Sequence, residues 1–493
     1  MGYTPRTLGG ENVKRTSLEV VVLAVALQVL PAVVLGEDAE APLAPGVDAP
    51  ASNSLLITGV SLIETSSATT SSPKDILIEA GSIVQVADAG SLSPSLAATT
   101  LHADGLFALP GLINVHAHLG DGGLGEQTDA DRAAALAQFL SYGVTTIFVP
   151  GGGGGNDDKL ARWKGRCSSD LRCPGLFGSG ALITAPGSHP ISSIWRLPDD
   201  TDPAIIYERG AVALAEDEAV GPLLDHKVAL GADAIKIIIE DSIGPAYPTP
   251  RLSNAKIAEL VEAGHERGLK VFAHVSMPGH VEDGVAGGID GIMHSAVRSL
   301  SDQTLAEMAR RGVFYVATLS LYDGFLDRAF GRLDEEAYAI AGVSPRALES
   351  LRGFRRAPYA DEQEARAEEF AVADNLRRAV AAGVPLALGT DTNNPSVYPG
   401  YSTHEELALM VEAGLTPAQA LAAATTGSAS FLDKQQSLGS IAAGYEADLL
   451  LLTRNPLDDI LNSRSLHTVV LDGRIITDLV SDPEIPLAGE SVE

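Results

Sequence analysis

The sequence predicts an α/β fold: a (β/α)8 TIM barrel, with a doubly wound sheet as the runner-up, carrying a small composite β-sandwich domain formed by the N- and C-terminal segments. Three observations lead there. Eight strand-like segments alternate with helix-like ones through the middle of the chain, and short alternating apolar runs precede that region. Strand-like text then returns after Leu432, where it most simply completes the sheet begun at the N-terminal side.

Taken in order, the chain opens on a targeting pattern. Arg6, Lys14 and Arg15 form a basic region, and Val20 to Leu35 is an apolar run broken only by Gln28 and Pro31. Cleavage after Gly36 leaves Val34 and Gly36 at the small-residue positions, so residues 1–36 read as a signal peptide and the protein as exported, periplasmic or secreted. An uncleaved anchor is the alternative, which Pro31 and the short run disfavour. Residues 37–53, rich in Ala, Pro and Asp, read as a linker. The runs Leu55-Leu56-Ile57, Ile76-Leu77-Ile78 and Ile83-Val84-Gln85-Val86 predict a small antiparallel sheet over 54–108.

The barrel is expected over 109–432. Its strands are Leu112 to Val115, Val144 to Val149, Leu176 to Thr184, Ala234 to Glu240, Lys270 to Ser276, Gly291 to Ala296, Val313 to Ser320 and Pro385 to Asp391. Helical patterns at Asp131 to Tyr142, Asn254 to Gly268 and Ser301 to Gly312 each run into a glycine, a common helix stop. Ser402 and Thr403 ahead of Glu405 and Glu406, and Thr416 ahead of Gln419, read as capping boxes. Two insertions, Ala185 to Leu230 and Leu321 to Ala382, interrupt the rhythm and are candidate lids. Residues 433–481 return to the sandwich, and 482–493 form a polar tail.

Composition narrows the function. With 493 residues, 45% hydrophobic content and a formal charge of −30, the chain is globular and repels phosphate backbones, so nucleic acid is not its partner. No run beyond the first is long and apolar enough for a membrane span. Cys167 and Cys173 stand close together in a polar stretch, and export favours a small disulfide loop; a metal reading lacks further cysteines. A homo-oligomer is left open.

The chemistry gathers at the strand ends. His116 and His118 follow the first strand, behind the turn signal Pro110-Gly111, and side chains two apart on a strand face the same side. Lys236 lies in Ala-Ile-Lys-Ile-Ile-Ile, His274 in Val-Phe-Ala-His-Val, His294 in Gly-Ile-Met-His-Ser, and Asp391 ends Leu-Gly-Thr-Asp. Polar side chains in apolar strands are costly unless satisfied, and in a barrel these C-terminal ends converge. Four histidines, a lysine and an aspartate meeting there suit one or two divalent metals. A structural Lys236 paired with Glu240 or Asp241 is the competing reading of that residue.

This pattern resembles the amidohydrolase superfamily over nearly the whole chain beyond the linker. Residues 403–414 and 444–452 are similar to its imidazolonepropionase-like and prolidase-like branch. The resemblance implies that His116, His118, His274, His294 and Asp391 ligate metal. It implies that Lys236 is carboxylated and bridges two divalent ions, zinc being the expected species. Asp391 is implied to shuttle a proton while activated water attacks an amide. Asn114 departs from an aspartate often found in that branch, at a position that is not a ligand. His189, in Ala-Pro-Gly-Ser-His, resembles an element that contacts the substrate carbonyl; as a lone loop histidine it has a bland reading too.

Tyr322 is a candidate substrate contact or an exposed loop tyrosine. Arg355-Arg356 is a candidate partner for a substrate carboxylate, with a solvated helix face the preferred reading. Gly151 to Gly155 lacks the Gly-Lys-Ser/Thr of a phosphate loop. The expected activity is metal-dependent hydrolysis of a C–N bond in a small-molecule amide, a dipeptide or N-acyl amino acid. A cyclic amidohydrolase of imidazolonepropionase type and a metal-free binding barrel are the alternatives; the former typically uses one metal and lacks the strand-four lysine.

Overall fold

The computed structural model describes residues 53–119, 128–152, 155–168, 173–241, 248–330, 362–394 and 396–476. The expected signal peptide, nearly all of the linker, the polar tail and Arg355-Arg356 lie outside them. No described helix is long and apolar enough to cross a membrane.

Six strands precede the parallel region: β1 (Ser54–Glu64), β2 (Thr69–Thr70), β3 (Lys74–Glu79), β4 (Ser82–Asp88), β5 (Thr99–His102) and β6 (Phe107–Pro110). The parallel strands are β7 (Leu112–Asn114), β8 (Val144–Val149), β9 (Gly175–Gly178), β10 (Leu182–Thr184), β11 (Ala211–Ala213), β12 (Ala234–Ile238), β13 (Lys270–His274), β14 (Gly291–Met293) and β15 (Phe314–Val316). Then come β16 (Leu449–Leu452), β17 (Leu466–Leu471) and β18 (Arg474–Ile476).

Strands from both sides of the parallel region share one sheet, in the order β18-β17-β16-β6-β1-β3-β4. The expectation of a purely antiparallel sheet is corrected, since β1 pairs in parallel with β5 and β6. The four leucines of β16 show why this strand is apolar throughout. Leu449 and Leu451 enter the sheet's own core with Ile57, Ile76 and Val470, while Leu450 and Leu452 join the larger core that contains Leu109 and Phe139. Alternate side chains face opposite ways, and here both faces are covered.

The parallel strands form two runs, β7-β8-β9 and β11-β10-β12-β13-β14-β15. Single backbone bonds extend them: Asp233 N donates to Gly178 O at 2.8 Å, and Val115 N donates to Leu388 O at 2.8 Å. One apolar cluster draws on strand after strand, with Ile113, Val115, Phe148, Ala234, Phe272, Met293, Val316 and Ala387, and Phe431 packs into it. The ring of Phe431 stacks on Phe272 at 3.9 Å and meets Phe148 and Phe314 edge-on at 5.8 and 5.5 Å.

Several local expectations change. The third strand breaks at Ser179–Ala181, because the buried Lys227 ammonium donates to the carbonyls of Ser179 and Ala181 and to Asp157 Oδ1. Those carbonyls are thereby taken from the ladder. The eighth strand shrinks to a bridge between Leu386 and Tyr315. Part of the first insertion becomes β11, an added strand beside β10. Ser402 and Thr403 are not N-caps, since their helix runs Tyr401–Glu412 behind Gly400. Thr416 and Gln419 do form a capping box. Cys167 and Cys173 are joined as a disulfide.

Phe431→Ala empties the centre of the aromatic cluster and should cost about 3–5 kcal/mol. Urea unfolding measures this, and a loss under about 1 kcal/mol, less than the transfer term of a single buried side chain, would contradict the packing described for Phe431.

Candidate metal centre

Most of the expected metal-binding residues sit at or beyond the C-terminal end of a parallel strand, and Lys236 sits within one. His116 and His118 follow β7, His274 ends β13, His294 follows β14, and Lys236 lies in the middle of β12. Asp391 follows the short Leu386 bridge. His116 Nε2 and His118 Nε2 lie 3.2 and 2.9 Å from Asp391 Oδ1, and His294 Nε2 lies 3.9 Å from Oδ2. The imidazoles form a continuous row: His118 to His116 at 5.4 Å, His116 to His294 at 4.6 Å, His294 to His274 at 4.6 Å, and His274 to His189 at 4.7 Å. His189 therefore joins the row, and its Nδ1 meets Ser193 Oγ at 2.9 Å.

Backbone and side-chain bonds stitch the end of the first strand to the eighth. His116 O accepts from Thr390 N and Asp391 N at 3.2 and 2.8 Å. Asn114 Nδ2 donates to Thr390 Oγ1 and Thr403 Oγ1, and its Oδ1 accepts from His116 N. Thr392 Oγ1 accepts from His118 N at 2.9 Å and donates to His118 O at 3.1 Å. Gly389 permits the close approach, because a Cβ there would lie 2.5 Å from His116 Cβ. His294 and Asp391 both adopt left-handed backbone, at φ 78° and 61°, a conformation uncommon outside glycine that Asp and His adopt more readily than most residues.

Burial dominates the electrostatics. It pulls His116, His189 and His274 down to about 3, and His294 well below its ordinary value. Burial opposes ionisation of Asp391, but the adjacent His116 and the bonds from His116 and His118 prevail and hold it well below the usual carboxylate range. Burial also brings the Lys236 amine down to about 7, with Asp391 acting the other way. Neutral imidazoles, an ionised carboxylate and a readily deprotonated amine are the forms that bind cations.

His116, His294 and Asp391 offer ligand atoms within 4.8 Å of one another. Among the described residues, the buried Nδ1 atoms of His116 and His118 find no hydrogen-bond partner. This nitrogen–oxygen set fits a divalent metal ion.

Other residues are placed differently from expectation. Lys236 Nζ donates to Met293 Sδ at 2.9 Å, whereas Glu240 receives Ser276 Oγ at 2.7 Å and meets His274 Nε2 at 3.2 Å. The proposed structural pairing of Lys236 with Glu240 or Asp241 is thus not the arrangement these bonds describe. Tyr322 is buried in the helix Leu319–Ala329, and its hydroxyl donates to Ser295 O, so it is no exposed loop residue.

Sequence reasoning passed over Glu240 as a partner of His274, although an acid closing the apolar run Ile-Ile-Ile-Glu was a visible signal. Thr318, whose Oγ1 lies 3.0 Å from His294 Nδ1, gave no such signal. Nor did His404, which bridges Tyr142 O and Ser463 Oγ at 2.9 Å each.

Five buried imidazoles, including His404 at about 3, are depressed from 6.5. The unfolded chain therefore binds more protons from about pH 3 to 6.5, and each imidazole adds stability as pH rises through that window. Glu406 and Asp448, raised to about 7 by burial, act in the opposite sense but are fewer. The chelator-treated protein should thus unfold at lower urea at about pH 5 than at about pH 6.5. An equal or higher midpoint at the lower pH would contradict neutral burial of these rings.

Residues 107–476 match the model of the amidohydrolase family. Ochratoxinase of Aspergillus niger is 28% identical over 304 residues, 58% of this chain, and the match spans only 56% of that relative's length. Imidazolonepropionase of Anaeromyxobacter dehalogenans is 27% identical over 66% of this chain and 62% of its own. Among solved structures, a Xaa-Pro dipeptidase with bound methionine superposes with a TM-score of 0.69 at 23% identity, covering 86% of this chain and 99% of that one, a likeness of fold. With residues 107–476, most of its length, matched by the family model, this chain belongs to the amidohydrolase family.

Proposed function

We propose that this protein is a metal-dependent amidohydrolase that cleaves a C–N bond in a small amide, a dipeptide or N-acyl amino acid. The observation that carries this reading is the meeting of His116, His118, His294 and Asp391 beyond the ends of parallel strands, with His274 in the same row and Lys236, within β12, interacting electrostatically with Asp391. The architecture in this reading is a closed eight-stranded barrel with a composite β-sandwich. The bonds of Leu388 to Val115 and of Gly178 to Asp233 support closure, and the sheet shared by β6 and β16 supports the composite domain. Export through the N-terminal segment belongs to the same reading.

His116, His118, His274, His294 and Asp391 would hold two divalent ions, zinc by donor type, with Lys236 as a carboxylated bridge. The amine of Lys236 suits that modification because burial favours its neutral form. Bound metal supplies Lewis acidity and water of lowered pKa. Asp391, ionised and beside the imidazole row, accepts the proton of the attacking water and returns it to the leaving nitrogen. His189, stacked on His274, presents its ring to the substrate carbonyl. Dipeptides stand among the candidates because a Xaa-Pro dipeptidase shares this fold, which by itself does not select the substrate. The relatedness to imidazolonepropionase supports a second reading, a cyclic amide substrate at a single ion.

A screen of dipeptides, N-acyl amino acids and cyclic amides with zinc-loaded protein tests the substrate class, and turnover of none of these would end the proposal. Asp391→Asn should lower kcat by about 10²–10⁴ on any substrate found, without changing the far-ultraviolet circular dichroism. Full activity in that variant would refute the proton shuttle. Lys236→Met should reduce bound zinc from two equivalents to one by elemental analysis; an unchanged stoichiometry would dismiss the bridge.

A further inference from the structure

Glu406 is a fully buried carboxyl on the helix Tyr401–Glu412 that the chemistry above does not use. Its Oε1 accepts from Leu319 N at 2.9 Å and its Oε2 from Ser320 N at 2.7 Å. These are the first two N–H groups of the helix Leu319–Ala329, whose preceding residue, Thr318, supplies no side-chain cap. A helix start leaves its first N–H groups unsatisfied, and an acid from a distant helix satisfies two of them here.

The residues beside that turn reach the metal centre. Thr318 Oγ1 lies 3.0 Å from His294 Nδ1. Ser320 Oγ donates to Thr390 O at 3.4 Å, one residue before Asp391. Thr318 holds a left-handed backbone at φ 53°, which a β-branched residue adopts only under constraint, and His294 itself is left-handed. Both oxygens of Glu406 fix the turn immediately after Thr318, so the carboxyl supplies that constraint.

We propose that Glu406 is a positioning residue of the metal centre, fixing the Thr318–Ser320 turn so that Thr318 orients the His294 imidazole and Ser320 braces the chain entering Asp391. The proposal rests on the reading of His294 as a metal ligand. Glu406 touches neither substrate nor metal. It selects the ring orientation in which Nε2 faces Asp391 while Nδ1 is engaged by Thr318, as outer partners do for ligating histidines generally.

Glu406→Gln is close in shape but turns an amide NH2 toward one of the two backbone N–H groups. Zinc dissociation constants, measured by competition with a chromophoric chelator, should rise about 10–100-fold in this variant. In the metal-free protein its His294 ring signals should shift in 1H–15N spectra, while those of His265, bonded to Asp290 at another site, stay in place. Thr318→Val should weaken zinc binding by a similar factor, and the double variant should be no weaker than about twice the worse single one, because both act along one route.

Zinc affinity of Glu406→Gln within about twofold of the parent, or multiplied losses in the double variant, would overturn the proposal. Should Glu406→Gln fail to fold, Thr318→Val alone decides, and unchanged zinc binding and His294 signals there overturn it. His294→Ala separates the two layers. Unaltered zinc affinity in that variant removes the ligand reading and the positioning role together, whereas a loss there without a loss in Glu406→Gln removes only the positioning role.

Discussion

An ionised Asp391 inside the protein is tolerable because two imidazoles face the same carboxylate oxygen, while Thr390 N and Asp391 N hold the segment by donating to His116 O. A buried charge without such partners is among the most unfavourable features a fold can contain. The stitch between the ends of the first and eighth strands brings those partners together. His116 O, the Asn114 amide and Thr392 Oγ1 tie segments that lie far apart in sequence, and Gly389 lets the two backbones approach. The rest of the parallel region is arranged around that join.

Beneath the polar row lies the apolar floor of Phe148, Phe272, Met293, Val316 and Phe431. The two layers alternate along the same strands. In β13, Phe272 belongs to the floor and His274, two residues on, to the row. In β14 and just beyond it, Met293 takes part in both, packing in the floor while its sulfur receives Lys236 Nζ. Removing water from one side of the imidazoles is what lowers their proton affinity, so floor and row are one electrostatic device.

Much of this was legible in the sequence because a polar side chain in an apolar run stands out. His116, His118, Lys236, His274, His294 and Asp391 were visible on that ground, and the structure brings the four histidines and Asp391 into one row, with Lys236 coupled to them electrostatically. What escaped depends on distant partners. The break at Ser179–Ala181 is made by Lys227, a residue on another helix, and nothing local to the third strand announces it. Ser402 and Thr403 have capping chemistry, yet the helix begins one residue earlier and Thr403 is drawn to Asn114. Tyr322 was ambiguous because an apolar helix start and an exposed loop share its flanking residues. Thr318 is an ordinary threonine until its backbone angle is known.

The pairing of β6 with β16 has a consequence for how the chain is made. During synthesis from the amino end, β6 emerges early, and its neighbour follows only after the parallel strands have been completed. Until then its outer edge presents unsatisfied N–H and C=O groups, a template for the wrong partner. The nascent polypeptide is therefore open to misassembly at that edge for as long as the parallel strands are being made, the interval in which chaperone shielding of it matters.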